Sequence, residues 1–380
     1  MLANQSALFD LDPAATYLNG AYMSPQLRSV TNAGIRALER KARPNTIFGT
    51  DFFTDREVVK AEFAQLIDVA DKDRTCIIPS VSYGLANAAQ NIPLKSGDEI
   101  ILIEEQFPSN VYTWQKVAKA RGAHIKRISP PALQAGRAEL WNQKLMEAIS
   151  PRTVVVAAPL VHWADGTLFD LMAVREKLNA LGGYLVIDGT QSIGAYPFSV
   201  TELQPDVVVC AGYKWLMGPY SLGVAYYNER FDKGDPIEDN WMNRLNSENF
   251  AGLTQYQDAY QPKAGRYTVG ESSNFILIPM LSAALKQVNA WGVKSIQEYC
   301  SAITASPLQA IEDKGYFIER PSARAAHLFG LYVPEHKDLN LIKEELKKAN
   351  ISVSYRGEAI RVAPHVYNSE EDLNKLAGYL

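Results

Sequence analysis

Two segments of the 380-residue chain carry side chains whose types and spacing suit covalent chemistry. One reads Tyr184-Leu-Val-Ile-Asp188-Gly-Thr-Gln191, the other Asp206-Val-Val-Val-Cys-Ala-Gly-Tyr213-Lys214-Trp215. Each is an apolar strand-like run that ends in polar residues. In a parallel sheet both ends lie on the carboxyl edge, where open α/β sheets bind ligands. Asp188 and Lys214 then converge although 26 positions separate them. A lysine just beyond a buried strand loses its proton through desolvation and forms an imine with an aldehyde. A carboxylate in the same site keeps a pyridine nitrogen protonated, and a protonated pyridine ring is an electron sink. That pairing suits pyridoxal 5′-phosphate (PLP). Taken singly, a strand-end Asp is more often a turn or cap residue, and a lysine between aromatics is usually solvated with a snorkelling stem. The spacing, together with a phosphate site upstream, favours the cofactor. That upstream site is Pro79-Ser-Val-Ser82-Tyr-Gly84, where a strand enters a helix through small residues. Free N–H groups at a helix N-terminus suit a phosphate dianion, although Ser is also an ordinary N-cap.

The elements that must hold these residues are legible as alternating patterns. Short runs rich in Val, Ile and Tyr predict strands at Cys76–Pro79, Ile100–Glu104, Thr153–Ala158, Tyr184–Asp188, Val207–Cys210 and Gly223–Tyr227. Helical periodicity falls between them: a helix from about Gly84, another near Asn110–Arg121, and a third over Asp170–Leu181 closed by Gly182-Gly183. Thr54 to Glu57 has capping-box spacing, with Val58, Val59, Phe63, Leu66 and Ile67 following on one face. This alternation predicts an α/β fold, a mostly parallel central sheet covered by helices. Periodicity fades between Asn228 and Pro262. A helix-rich tail follows from Pro279–Trp291, with strands at Ile351–Tyr355 and Ala359–Val362 and a last helix after Ser369. We expect a large α/β domain over 15–265 and a smaller C-terminal α+β domain over 266–380, with residues 1–14 packed nearby.

Composition narrows the classes of function. Apolar residues make up 47% and charged residues 21%, as in an ordinary globular protein. A net charge of −4 offers no basic footprint for nucleic acid. No apolar stretch is long enough to span a bilayer, and no signal peptide is apparent. Three scattered cysteines, Cys76, Cys210 and Cys300, without a CxxC pair fit a reduced, cytoplasmic compartment. There is no G-x-G-x-x-G, Walker A loop, H-E-x-x-H or G-x-S-x-G elbow. The five histidines lack helical pairing, so no metal site is expected.

From Tyr17-Leu-Asn-Gly-Ala through Asp188-Gly-Thr-Gln191 and Ala-Gly-Tyr-Lys214-Trp to Arg361-Val-Ala-Pro-His-Val-Tyr-Asn, the ordered set of motifs resembles the class V aminotransferase and cysteine desulfurase-like PLP enzymes. The nearest motifs are those of kynureninase-like and isopenicillin-N epimerase-like members. The resemblance implies the fold type I architecture of aspartate aminotransferase, PLP as cofactor, and a homodimer with its active site near the interface. Under it Lys214 would carry PLP and shuttle the Cα proton, Asp188 would pair with the pyridine nitrogen, and Gln191 would donate to the ring oxygen. Val81, Ser82 and Tyr213 would hold the phosphate, and Phe107 would stack on the ring. Trp163 falls where desulfurases often place an asparagine near the cofactor. Trp241 matches a tryptophan that reaches the partner subunit's phosphate, and Arg361 the arginine that grips the substrate carboxylate.

Two departures limit the reaction. Desulfurases with a catalytic thiol carry a cysteine shortly before the carboxylate arginine, and residues 348–360 contain none, which disfavours persulfide chemistry. At the loop that usually sends a small side chain to the partner's phosphate, Glu271 occupies the matching position, leaving Ser272 as the candidate. The expected activity is transamination of a small amino acid or amine through a Cα carbanion. Lyase, hydrolase and epimerase outcomes share that carbanion, and Phe107 with the missing cysteine leans toward the first two. A non-catalytic scaffold would not need Lys214, Asp188 and Arg361 together.

Overall fold

A computed structural model describes residues 2–380. Its centre is a seven-stranded sheet in the order Thr75–Ile78, Gly223–Tyr227, Val207–Ala211, Tyr184–Asp188, Thr153–Pro159, Glu99–Ile103, His124–Ile128. The last five pair in parallel, and Gly223–Tyr227 runs against both of its neighbours. Six strands therefore point one way, and the expected mostly parallel sheet is present. The interior strands are buried except at Val154 and Tyr184, which are half-buried. Helices cover both faces, which is why these strands read as continuous apolar runs rather than alternating ones.

Register at the centre is fixed by hydrogen bonds as well as by packing. Val186 pairs with Val207 and Asp188 with Val209. Immediately before the second of these strands, Asp206 is buried with both oxygens in use. Oδ2 accepts from the Leu185 N–H at 2.8 Å and from Arg175 at 2.7 Å, while Oδ1 accepts from Asn228 at 2.9 Å and Arg230 at 3.0 Å. One carboxylate thus ties together the beginnings of two strands whose ends carry Asp188 and Lys214.

Several local expectations shift. The helix expected from about Gly84 begins at Val81, because Ser80 is the N-cap and accepts from the Tyr83 N–H. Gly84 lies inside its first turn, where a Cβ would stand 2.6 Å from Val209 Cγ1, so only glycine lets the helix approach the sheet this closely. The capping box at Thr54 and Glu57 does not form. That helix starts at Asp51, Thr54 donates back to Thr50 O, and Glu57 pairs with Lys60 and Lys72 instead. Strand His124–Ile128 and helix Arg137–Ala148 carry no clear prior signal. The strand is a polar sheet edge, and the helix follows Gly136 in the left-handed conformation with Trp141 and Leu145 as its buried face.

The C-terminal region builds a three-stranded antiparallel sheet from Ser354–Arg356, Ala359–Val362 and Phe329–Tyr332, packed with helices Val293–Glu312, Leu339–Lys348 and Glu370–Tyr379. The N-terminal segment joins this region: Thr16 and Tyr17 pair with Ile351 and Ser352, and Phe9 packs on Trp291 and Tyr367. The loop after strand Thr153–Pro159 ties it to the large sheet. There Asp165 O accepts from the Gly330 N–H, and its carboxylate accepts from Tyr332 and Arg137.

Replacing Asp206 with asparagine should leave two buried or half-buried guanidinium groups without a counter-charge. We expect the variant to lose about 3 kcal/mol of stability, as the breaking of other buried ion pairs does. Urea unfolding followed by circular dichroism checks this. An unchanged midpoint would mean that the cluster does not hold the strand pair.

Candidate active site

Every strand of the sheet that points the common way sends its following loop to one edge, and five of these loops meet there. After Ile78 comes Pro79–Ser82, after Ile103 comes Gln106–Phe107, and after Pro159 comes Val161–Trp163. Asp188–Gln191 and Ala211–Lys214 complete the set. Together they line a cavity of about 450 Å³. It continues outward into a second space bounded by Ala21, Tyr22, Met23, Tyr220, Arg356 and Arg361. Of the sequence-derived candidates, Val81, Ser82, Phe107, Trp163, Asp188, Gln191, Tyr213 and Lys214 line the inner cavity, and Arg361 the outer one.

Asp188 and Lys214 both line the inner cavity. Asp188 is 8% exposed, and Oδ1 accepts the Thr190 N–H at 3.0 Å. Burial is the largest influence on it and raises the carboxyl pKa, while Thr190 and Lys214 oppose the rise. Lys214 is 6% exposed. Burial first, then the repulsion of Arg361, lowers its ammonium pKa to about 8, against the pull of Asp188. Its Nζ lies 5.5 Å from the Phe107 ring centroid and 5.7 Å from that of Tyr213. The backbone around it is closed by the Gly212 N–H on Leu222 O and the Gly218 N–H on Gly212 O. The Ser24 hydroxyl donates to Lys214 O.

At the opposite end, helix Val81–Asn91 presents its N-terminus. The Tyr83 and Gly84 N–H groups bond to Ser80, which leaves those of Val81 and Ser82 directed out of the helix. The Ser80 and Ser82 hydroxyls are 2.9 Å apart. Gln191 is held from behind. Its Oε1 accepts from Trp215 Nε1 at 2.9 Å and its Nε2 donates to Ala21 O at 3.2 Å, so one amide hydrogen remains for the cavity. Arg361 is 1% exposed and donates to Trp163 O at 3.0 Å and Ser354 Oγ at 3.3 Å, with Nε unpartnered. Desolvation, assisted by Arg356, lowers its pKa to about 9.

Two candidates stand elsewhere. Trp241 belongs to an aromatic cluster with Phe52, Phe53 and Phe250, and Ser272 is buried, accepting from Arg56 at 3.1 Å and facing Met242. None of the three cysteines lines the cavity. Each is buried, and burial raises its thiol pKa to about 12 or above. Three cavity residues were not anticipated. Thr190 lies inside the Asp188–Gln191 motif, whereas Tyr220 on a turn and Arg356 at the end of a short strand are placed by tertiary packing.

The family described as Aminotransferase class-V matches residues 39–376. The chain belongs to the class V aminotransferase family. An uncharacterized aminotransferase of Bacillus subtilis, YcbU, is 27% identical over 83% of this chain and 80% of its own length. A cysteine desulfurase of Pectobacterium atrosepticum is 26% identical over 67% of this chain and 61% of its own. Among solved structures, a variant of C-DES with glycine covalently linked to its PLP cofactor superposes with a TM-score of 0.88 at 18% identity, covering 98% of both chains. The Escherichia coli cysteine desulfurase CsdA superposes at 0.82, also at 18% identity, covering 98% of this chain and 96% of its own. The fold is thus fold type I, and the cofactor of this class V chain is PLP. The cavity fits that group on its own chemistry: a desolvated lysine facing a buried carboxyl, with free N–H groups at a helix end for a phosphate. No helix among the described residues is long and apolar enough to cross a membrane.

The depressed Lys214 pKa makes this residue costly to the cofactor-free protein. Between pH 8 and the ordinary lysine value of 10.5 the unfolded chain binds more protons than the folded one, so stability rises with pH across that window. Below pH 8 the whole cost is present. Lys214→Met should therefore stabilise the cofactor-free protein by up to about 3 kcal/mol at pH 7, with the gain fading toward pH 10.5. Thermal melts of both proteins across that range test it. A pH-independent difference would contradict the electrostatic origin.

Proposed function

We propose that this class V enzyme is a transaminase of small amino acids or amines, acting in the cytoplasm as a homodimer. The observation that carries the reading is the desolvated Lys214 amine, placed across a cavity from Asp188 with Arg361 unpaired by any carboxylate at its mouth. Bound PLP supplies the electron sink that acidifies the Cα proton of an amino acid joined to it.

The chain's own residues do the rest. Lys214 Nζ, whose ammonium pKa burial lowers to about 8, would serve as the base that holds and moves the Cα proton. Asp188 would pair with the ring nitrogen, its carboxyl held in place by the Thr190 N–H. Gln191 would donate its remaining N–H to the ring oxygen, Val81, Ser82 and Tyr213 would hold the phosphate, and Phe107 would stack on the ring. Arg361 receives the substrate carboxylate in a planar fork already oriented by Trp163 O and Ser354. No thiol lines the cavity to accept sulfur, since Cys76, Cys210 and Cys300 are all buried elsewhere. The likeness to an aminotransferase over most of both chains supports the same reading.

The dimer rests on a surface observation as well as on family. Phe48, Phe250 and Tyr256 are exposed near Trp241, an apolar face of the kind that marks protein contacts. Sedimentation should give twice the 42.1 kDa chain mass, and a monomer would remove this part of the proposal.

The reaction is tested by the visible absorption of the PLP-loaded protein mixed with a panel of L-amino acids. Bleaching that a 2-oxo acid reverses is the transaminase outcome. A retained band with release of a substrate fragment would replace it with lyase or hydrolase chemistry. With an active amino acid in hand, Arg361→Gln should raise KM by about 30-fold or more, as loss of a charge-assisted pair does, with a smaller effect on kcat. An unchanged KM would mean the carboxylate is bound elsewhere.

A further inference from the structure

The proposed function leaves one cation at the cavity without a task. Arg356 ends strand Ser354–Arg356 and pairs with Ala359, while Ser354 pairs with Arg361, so the two arginines belong to neighbouring strands of one hairpin. Both line the outer cavity together with Lys214. The guanidinium carbon of Arg356 lies 4.9 Å from the Trp163 ring centroid, and that of Arg361 lies 5.8 Å from the same ring. A guanidinium held over an aromatic face keeps its in-plane N–H groups free for a planar anion. Those of Arg356 are largely unused: Nη1 donates to Tyr355 O at 2.6 Å, and the buried Nε has no partner. Among the described residues no carboxylate is paired with either arginine.

The charge balance sharpens the point. Lys214, Arg356 and Arg361 face the combined cavity, and Asp188 is the one carboxylate lining it among the described residues. Asp188 lines the inner space, where the proposed function gives it to the ring nitrogen. The phosphate is received at the helix end, and a simple amino acid supplies one carboxylate, which Arg361 takes. Arg356 would then remain half-buried beside a second guanidinium, with no anion to offset their mutual repulsion. Repulsion from Arg356 contributes to the lowered pKa of both Arg361 and Lys214.

We infer that the substrate carries a second anionic group on its side chain, and that Arg356 binds it over the face of Trp163. The substrate class is then an acidic amino acid and its 2-oxo acid. This inference rests on the PLP reading, with Arg361 as the carrier of the α-carboxylate. The rest of the outer cavity wall, Tyr22, Met23 and Tyr220 among it, offers no carboxylate to oppose such a side chain.

Unreactive analogues separate binding from turnover. Succinate and butyrate share a four-carbon chain and differ in the second carboxylate, so calorimetric titration of each into the PLP-loaded protein isolates that group. We expect succinate to bind about tenfold tighter or more than butyrate, the range of a charge-assisted pair at a half-exposed site. Arg356→Gln should bring the ratio close to one with butyrate affinity within about twofold of the parent. Arg356→Lys should retain part of the preference, which shows that the hairpin is intact, and Arg361→Gln should weaken both ligands. A ratio near one in the parent protein, or a ratio untouched by Arg356→Gln, would overturn the inference and leave the cofactor assignment standing. Failure of the protein to take up PLP, read from its visible absorption before titration, would overturn the underlying reading and this inference with it.

Discussion

The site depends on the register between strands Tyr184–Asp188 and Val207–Ala211. A slip of one residue in a parallel pair would turn every side chain to the other face and separate Asp188 from Lys214 by more than either can reach. The sequence offers few obstacles to such a slip, because both strands are apolar up to their ends and almost wholly buried. What distinguishes the native pairing is polar: the Asp206 carboxylate satisfies the Leu185 N–H and two arginines, and it can do so in one alignment only. The Gly189 N–H closes the far end on Val209 O. Functional geometry at the carboxyl edge is thus set by an ion cluster at the amino edge, a strand's length away.

A second constraint is the mismatch between burial and charge at that edge. Lys214, Asp188 and Arg361 are each desolvated enough to move their pKa values toward the uncharged form, and the two cations repel each other. A protein selected for stability alone would not retain this set. The opposing pulls have a consequence for chemistry, however. The lysine is brought near neutrality where an amine can act both as nucleophile and as base, and it stays there because Asp188 partly offsets the desolvation. The helix end at Val81 adds positive potential of the same sense. An anionic cofactor and, in the proposed reading, an anionic substrate would each offset part of this repulsion, which favours their binding.

How much of this was legible in the sequence follows from how local each signal is. The buried strands and their polar ends were readable because a parallel sheet demands continuous apolar runs, and Asp188 and Lys214 each end one. The start of the helix at Val81 was placed three residues late, since Ser80 caps through a side chain that looks the same in a loop or at a helix end. The false capping box at Thr54 has the same origin: the spacing is right, but Asp51 supplies the first turn and Glu57 pairs with Lys60 of its own helix and with Lys72 beyond it. Strand His124–Ile128 escaped because an edge strand needs no apolar pattern. Arg356 escaped for a different reason. Its meaning lies in what is missing around it, a carboxylate partner, and absence of a tertiary partner leaves no trace in sequence.

The two halves of the site come from different parts of the chain, and this bears on how substrate is oriented. Lys214 and Asp188 are fixed to the large sheet, whereas Arg361 and Arg356 sit on the C-terminal hairpin. The link between them is short. Arg361 donates to Trp163 O, and two residues further on Asp165 binds Arg137 of the large unit along with Tyr332 and the Gly330 backbone of the C-terminal sheet. The loop Val161–Thr167 therefore measures the distance between the amine and the anion-binding groups. It contains a buried ion pair, a buried histidine on Asp165, and a glycine at φ +79° whose Cβ would collide with Leu328 O at 1.9 Å. Such a loop has little freedom to vary its span. In the proposed reading, a ligand gripped at its carboxylate by Arg361 presents its Cα at a height over the sheet that this loop sets, so rigidity here serves the alignment of the Cα–H bond with Lys214 rather than stability of the fold at large.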